Sequence, residues 1–124
     1  MKKIHTSSAP AAIGPYSQAI MTGGLVYTSG QIPINPASGN IEAFDVCAQT
    51  EQVCKNLSEV LKAAGSDLEN VIKTTCFLSD IADFAAFNEV YAKYFTGCPV
   101  RSCVAVKALP KGALVEVEAI AKIK

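Results

Sequence analysis

Arg101, Glu116 and Glu118 are charged residues set in apolar, strand-like sequence towards the end of the chain. The run Arg101-Ser102-Cys103-Val104-Ala105-Val106 reads as a strand, Leu109-Pro110-Lys111-Gly112 as a turn, and Leu114-Val115-Glu116-Val117-Glu118-Ala119-Ile120 as a returning strand. Side chains alternate faces along a strand, so Arg101 shares a face with Cys103, and Glu116 with Glu118. Pairing of the two strands across the turn would bring a guanidinium and a carboxylate onto one surface. A guanidinium grips a carboxylate through two parallel hydrogen bonds, and a glutamate can accept a proton or hold a water. That chemistry suits a small acid as substrate. The same residues also fit a solvated face with opposite charges paired across strands, worth less than about 1 kcal/mol. Taken alone, the hairpin leaves both readings open.

Other elements must position these residues. Ser17–Met21 and Leu25–Ser29 read as strands around Gly23-Gly24, a hairpin signal because both glycines tolerate positive φ. Gly30-Gln31-Ile32-Pro33 ends the second strand, and Ile34 to Asn40, with Pro36 and Gly39, reads as loop. Val46, Val53, Leu57, Val60, Leu61 and Ala64 recur at helical steps. Asp45 is placed to start that helix and Gly65 to end it. Cys47 and Cys54, on neighbouring faces of the helix, read as buried structural thiols. Val71–Leu78 is a strand with Cys76 in its apolar run. A second helix follows, with Asp80 as its cap, a stripe of Phe84, Phe87, Val90, Tyr91, Tyr94 and Phe95, and Gly97 and Pro99 as its stop. Asn88 is a polar residue on that apolar face. The order is strands, helix, strand, helix, two strands. This predicts an α+β fold with a mostly antiparallel sheet and both helices on one face.

The totals narrow the function. A chain of 124 residues makes one domain. Half the residues are apolar and only 18% are charged, yet no apolar run approaches the roughly 20 residues of a membrane span. The excess points to burial between subunits, on the sheet face the helices leave open. Eleven basic and eleven acidic residues give a net charge of zero, which disfavours nucleic acid as a partner. Lys2-Lys3 leads into Ile4-His5-Thr6-Ser7-Ser8, not into the apolar core of a signal peptide. Five cysteines without a CxxC pair fit reduced thiols in the cytoplasm. With His5 as the single histidine, a zinc site is poorly supported.

Several blocks make the sequence recognisable: Ala9-Pro10-Ala11-Ala12-Ile13-Gly14-Pro15-Tyr16-Ser17-Gln18-Ala19, Ser29-Gly30-Gln31-Ile32-Pro33, and Pro99-Val100-Arg101-Ser102-Cys103-Val104 with Leu109-Pro110-Lys111 and Val115-Glu116-Val117-Glu118-Ala119. In this order they resemble the RidA (YjgF) family of reactive-intermediate deaminases, from about Ile4 to Ala121. The resemblance implies a chorismate-mutase-like fold with a six-stranded sheet over residues 1–124, and a homotrimer with clefts between subunits. It also implies hydrolysis of 2-imino acids, such as 2-iminobutanoate and 2-iminopropanoate, and of their enamine tautomers. These leak from pyridoxal-phosphate enzymes and are converted to 2-keto acids and ammonia without cofactor or metal. By position, Arg101 matches the family's carboxylate-binding arginine and Glu116 the glutamate that holds the hydrolytic water. Cys103 matches the cysteine whose backbone N–H helps hold the ligand. Tyr16, Ser29, Gly30, Ile32 and Asn88 fall on blocks that line or support the cleft.

The chain departs from the family pattern at Cys98, before Pro99 in a short Gly97 loop, and at Ala105, where an acid is common. The Cys98 change bears on the cleft rim and the preferred substrate side chain, whereas Ala105, on the strand beyond Cys103, need not touch the chemistry. Cys103 as a nucleophile would want a histidine that the sequence does not offer nearby, so a packing or backbone role fits it better. Glu118 fits scaffolding. The rival readings are a non-catalytic protein that binds small carboxylates or regulates partners in the same clefts, and a nuclease, which the neutral charge disfavours.

Overall fold

The computed structural model describes residues 1–124. It opens with β1 (Lys2–Ile4), a strand that the sequence pattern does not reveal. His5 follows it, exposed. β2 (Ala19–Thr22) and β3 (Leu25–Thr28) form the expected hairpin, with Gly23 and Gly24 at φ 59° and 79°. Two successive left-handed residues match the twist of a two-residue hairpin. The segment expected to be loop contains a small ribbon, β4 (Ile34–Asn35) and β5 (Asn40–Ile41), closed through Gly39 at φ 75°. The ribbon is tied down by the buried Asn56 amide, which donates to the carbonyls of Ile32 and Ile34 at 3.1 and 2.9 Å. Strands of two residues carry too little pattern to be read from sequence.

Helix α1 (Val46–Ala63) starts at Asp45, whose Oδ1 accepts from the Ala48 N–H at 2.8 Å, and is followed by Gly65 at φ 82°. Such an N-cap is worth about 1 kcal/mol. Val53, Cys54, Leu57, Val60 and Leu61 are its buried face. Cys47 corrects the sequence expectation: it is exposed, while Cys54, seven residues on, is fully buried. Cys47 sits in the first turn of α1, where the core reaches only its neighbour Val46.

β6 (Val71–Leu78) and α2 (Phe84–Tyr94) follow, separated by a 3-10 turn over Ile81–Asp83 that Asp80 caps through the Ala82 N–H at 2.9 Å. Phe87, Val90, Tyr91 and Phe95 are buried, whereas Phe84 remains 37% exposed. β7 (Val100–Ala105) and β8 (Val115–Lys122) complete the chain.

The six-stranded sheet runs β1-β2-β3-β8-β6-β7, antiparallel throughout except for β6 beside β7. The mostly antiparallel α+β architecture is as expected, but the hairpin of the last two strands is not. β7 and β8 do not pair; β6 lies between them. A strand, crossover helix and strand put β7 parallel to β6. Residues 106–114 then cross the end of β6, pinned where the Val106 N–H donates to the Leu78 carbonyl and the Ser79 N–H to that of Leu114, at 2.8 and 3.0 Å. The Pro110–Gly112 segment is a 3-10 turn inside this crossing, not a hairpin turn.

Both helices cover one face of the sheet. There Val26, Cys76, Leu78, Val115, Val117, Ala119 and Ala121 join the helix residues in one buried cluster. The opposite face has no covering element. Tyr27, Val100 and Val104 are 41%, 65% and 47% exposed on it, which locates much of the apolar excess read from the composition.

Candidate active site

Arg101 is on the edge strand β7, in register with Thr74 of β6. Thr74 is fully buried on the helix-covered face, and in-register neighbours share a face. The Arg101 side chain therefore turns to α2. Its Nη1 donates to Asn88 Oδ1 at 2.8 Å. Its Cζ lies over the Tyr91 ring at 4.8 Å and the Phe84 ring at 5.5 Å, within cation–π range. The chain's two ion pairs are Lys62–Glu59 and Lys124–Asp67, so this half-buried guanidinium has no carboxylate partner. A cavity of about 500 Å³ beside it is lined by Tyr91, Phe95, Cys98, Pro99 and Arg101. Cys98, at φ 50°, holds the short turn that forms its rim.

Cys103 follows on the same face, in register with Cys76. Burial pushes its thiol up, against a smaller downward pull from Arg101. Cys76, deeper, is pushed up to about 12, also chiefly by burial. Both stay protonated at neutral pH, which removes the thiolate that nucleophilic attack needs.

Glu116 is in register with Phe77 of β6, three residues from Thr74, and so lies on the other face. It meets the segment following β3. That strand leaves the β8 ladder at Thr28, whose Oγ1 accepts from the Ala119 N–H at 3.0 Å, and returns at Gln31, which bridges to Val117. Between them Ser29 donates its hydroxyl to the Ser17 carbonyl at 2.6 Å, bracing the Tyr16 loop. Gly30 comes so near the glutamate that a Cβ there would sit 2.8 Å from Glu116 Cδ. Close approach, not backbone angle, favours glycine here: any Cβ would displace the flexible end of Glu116. Burial, then repulsion from Glu118, raises the Glu116 carboxyl above its usual range.

A cavity of about 210 Å³ opens over Glu116, lined also by Ile13, Tyr16, Gly30, Ile32 and Pro110. Tyr16 is 49% exposed at its edge. The loop that carries these residues is latched by Gln18. This side chain accepts from the Thr6 N–H at 2.7 Å and donates to the Thr6 and Pro10 carbonyls at 3.0 and 2.8 Å.

The anticipated residues thus fall into two groups. Tyr16, Gly30 and Ile32 gather around Glu116, with Ser29 behind them; Asn88 and Cys103 accompany Arg101 on the other side of the sheet. The sequence reading missed Gln18, a polar residue in a strand start that gave no signal, and it took Tyr91 and Phe84 as core. Ala105 ends β7, exposed. No group of three histidine, cysteine or acidic side chains could hold a metal ion.

Residues 6–123 match the family model described as Endoribonuclease L-PSP. A rat protein named 2-iminobutanoate/2-iminopropanoate deaminase is 52% identical over 121 residues, covering 97% of this chain and 88% of its own. A Lactococcus lactis protein described as a regulator, AldR, is 54% identical over 125 residues, covering 100% and 99%. The crystal structure of E. coli TdcF with bound serine superposes with a TM-score of 0.94 at 44% identity, covering 100% of both chains. On these similarities the chain belongs to the RidA (YjgF) family.

Proposed function

We propose that the protein hydrolyses small 2-imino acids to 2-keto acids and ammonia, in the cytoplasm and without a cofactor. The observation that carries the reading is the Arg101 guanidinium, half-buried and held along one edge by Asn88, with no carboxylate of its own chain to neutralise it. A buried charge is paired or costly, and a planar carboxylate fits the free edge of the fork. The serine held by TdcF bears a carboxylate next to a nitrogen-bearing carbon, as a 2-imino acid does. The deaminase name of the rat relative supports the reaction class.

Glu116 is the proposed base. Its carboxylate takes a proton from water as the water oxygen bonds to C2. The imine reacts as its iminium form, C=NH2⁺, so the π pair arriving at nitrogen gives the neutral amine of a carbinolamine. The glutamic acid then gives its proton to that nitrogen. The C–N bond breaks as the hydroxyl oxygen forms the keto group, Glu116 takes the hydroxyl proton, and ammonia leaves and carries that proton away as ammonium. Burial and Glu118 raise this carboxyl above the usual range, which makes it a readier proton acceptor than an ordinary glutamate. Arg101 and Glu116 lie on opposite faces of one sheet, so the reaction requires the Arg101 side of one copy to meet the Glu116 side of another. A homotrimer with clefts between subunits meets that requirement, and the exposed apolar sheet face supplies a surface for it.

The test generates the imine in situ with a threonine dehydratase and follows 2-keto acid and ammonia. The native protein accelerates both, whereas Arg101→Ala and Glu116→Ala do not. An Arg101→Ala protein as active as the native one would sink the assignment. The relative described as a regulator favours, as second reading, a carboxylate-binding protein without catalysis; it expects 2-keto acid binding and no extra ammonia.

A further inference from the structure

We propose that Tyr91 is the positioning residue for Arg101: its ring is the floor on which the guanidinium lies, with Phe84 as the side wall. The inference deepens the proposed carboxylate-binding role and rests on it. Phe84, Asn88 and Tyr91 stand at i, i+4 and i+7 of α2, one stripe of the helix, and all three touch Arg101. Two of the contacts are ring faces, at 5.5 and 4.8 Å from Cζ, and the third is the Asn88 bond at 2.8 Å.

The floor is itself fixed on three sides. Tyr91 is only 8% exposed. Its ring stacks on Phe95, centroids 4.3 Å apart and 24° from parallel, and meets Phe87 at 5.5 Å. Its hydroxyl is bonded to Thr74 Oγ1 at 2.7 Å. Thr74 is the in-register neighbour of Arg101. The path from Arg101 to the ring, from the ring to Thr74, and back across the β-ladder is therefore closed. An ordinary core tyrosine needs the packing and the hydroxyl partner, but not a guanidinium lying over its face.

A guanidinium is planar and stacks on aromatic faces, which a lysine ammonium does not do. Held over the ring, with Nη1 bonded to Asn88, it keeps its remaining N–H groups for a ligand. Ordering a long side chain before the ligand arrives removes that entropy loss from the binding step. The expected signature is weaker carboxylate binding when the ring is lost, with the chemical step unchanged.

The experiment compares Tyr91→Phe, Tyr91→Leu and Phe84→Leu, reading Arg101 guanidinium exchange by ¹⁵N NMR, affinity for 2-oxobutanoate, and imine-hydrolysis kinetics. Tyr91→Phe keeps the floor and should stay within about threefold of native in affinity. Tyr91→Leu should weaken 2-oxobutanoate binding and raise KM about tenfold at unchanged kcat, with faster guanidinium exchange. Phe84 is partly exposed, so Phe84→Leu spares the core and decides the matter if Tyr91→Leu does not fold; it should speed guanidinium exchange. A folded Tyr91→Leu, or failing that Phe84→Leu, with native guanidinium exchange would overturn the proposal. The NMR reading needs neither ligand nor turnover, so it stands apart from any failure of the imine-hydrolysis reading.

Discussion

Arg101 and Glu116 face opposite sides of the same sheet, because their β6 neighbours, Thr74 and Phe77, are three residues apart. Alternation along a strand makes that separation absolute for one chain. Each side chain is instead held in its own surroundings: the guanidinium against α2, the carboxylate against Gly30.

If two copies share each site, inactive variants should rescue one another. Arg101→Ala and Glu116→Gln, each inactive alone, are mixed in equal amounts and allowed to exchange subunits. In a cyclic trimer a cleft is intact when one neighbour supplies a native Arg101 and the other a native Glu116, so about a quarter of the clefts recover. Imine-hydrolysis rates rising to about that fraction of native are the expected outcome. No recovery despite exchange, shown by mass measurement of the mixed oligomer, would count against a shared cleft.

Arg101→Lys keeps the charge and loses the planar fork. A point charge on a flexible stem cannot bind a carboxylate in two parallel bonds while stacked on Tyr91. Losing one charge-assisted hydrogen bond should raise KM about 10- to 100-fold. Steady-state kinetics with imine generated in situ measure this, and a KM equal to native would argue against bidentate binding.

Glu116 ties activity to stability with a definite sign. Its carboxyl is raised in the fold, from about 4.5, by burial first and Glu118 second. The folded chain therefore binds this proton more tightly than the unfolded chain. The stabilisation is complete below the unfolded value and is lost as pH rises through the folded one. Glu116→Gln cannot ionise and escapes the loss. Relative to native, its thermal midpoint should be higher at about pH 7.5 and little changed at about pH 4, while hydrolysis is abolished. A variant less stable than native at the higher pH would contradict the assigned cause.

Gly30→Ala tests the close approach over Glu116. The added methyl, 2.8 Å from Glu116 Cδ, must push the carboxylate aside. Gly30 is not among the positive-φ glycines, so the backbone accepts alanine. A displacement near 1 Å at a catalytic group costs about 100-fold in kcat. The expected result is that loss, with a thermal midpoint within a few degrees of native by calorimetry.

Much of this fold was legible because it is local. The Asp45 cap, the Gly65 stop, the Gly23-Gly24 turn and the strand Val71–Leu78 each depend on a few adjacent residues, and each was found where the sequence put it. The core stripe of α2 was legible too, but not that Tyr91 and Phe84 in it also face an arginine. That contact depends on a strand outside the helix. Gln18 and Asn56 were invisible for the same reason: an amide that ties one loop to another has no local pattern.

The residue types decided the chemistry on offer, a guanidinium and a carboxylate in apolar surroundings, and alternation decided that Arg101 goes with Cys103 and Glu116 with Glu118. What alternation leaves open is which face each strand turns to the core, and which strand it pairs with. The tertiary structure settled both. The helical crossover set β7 parallel against β6, the antiparallel return set β8 against the other edge of β6, and burial of Val115 and Val117 turned Glu116 outward. The charges that looked like one hairpin face stand on opposite faces of the sheet. Strand pairing brings together residues distant in sequence, and its register is chosen by the whole buried core rather than by the turn between two strands.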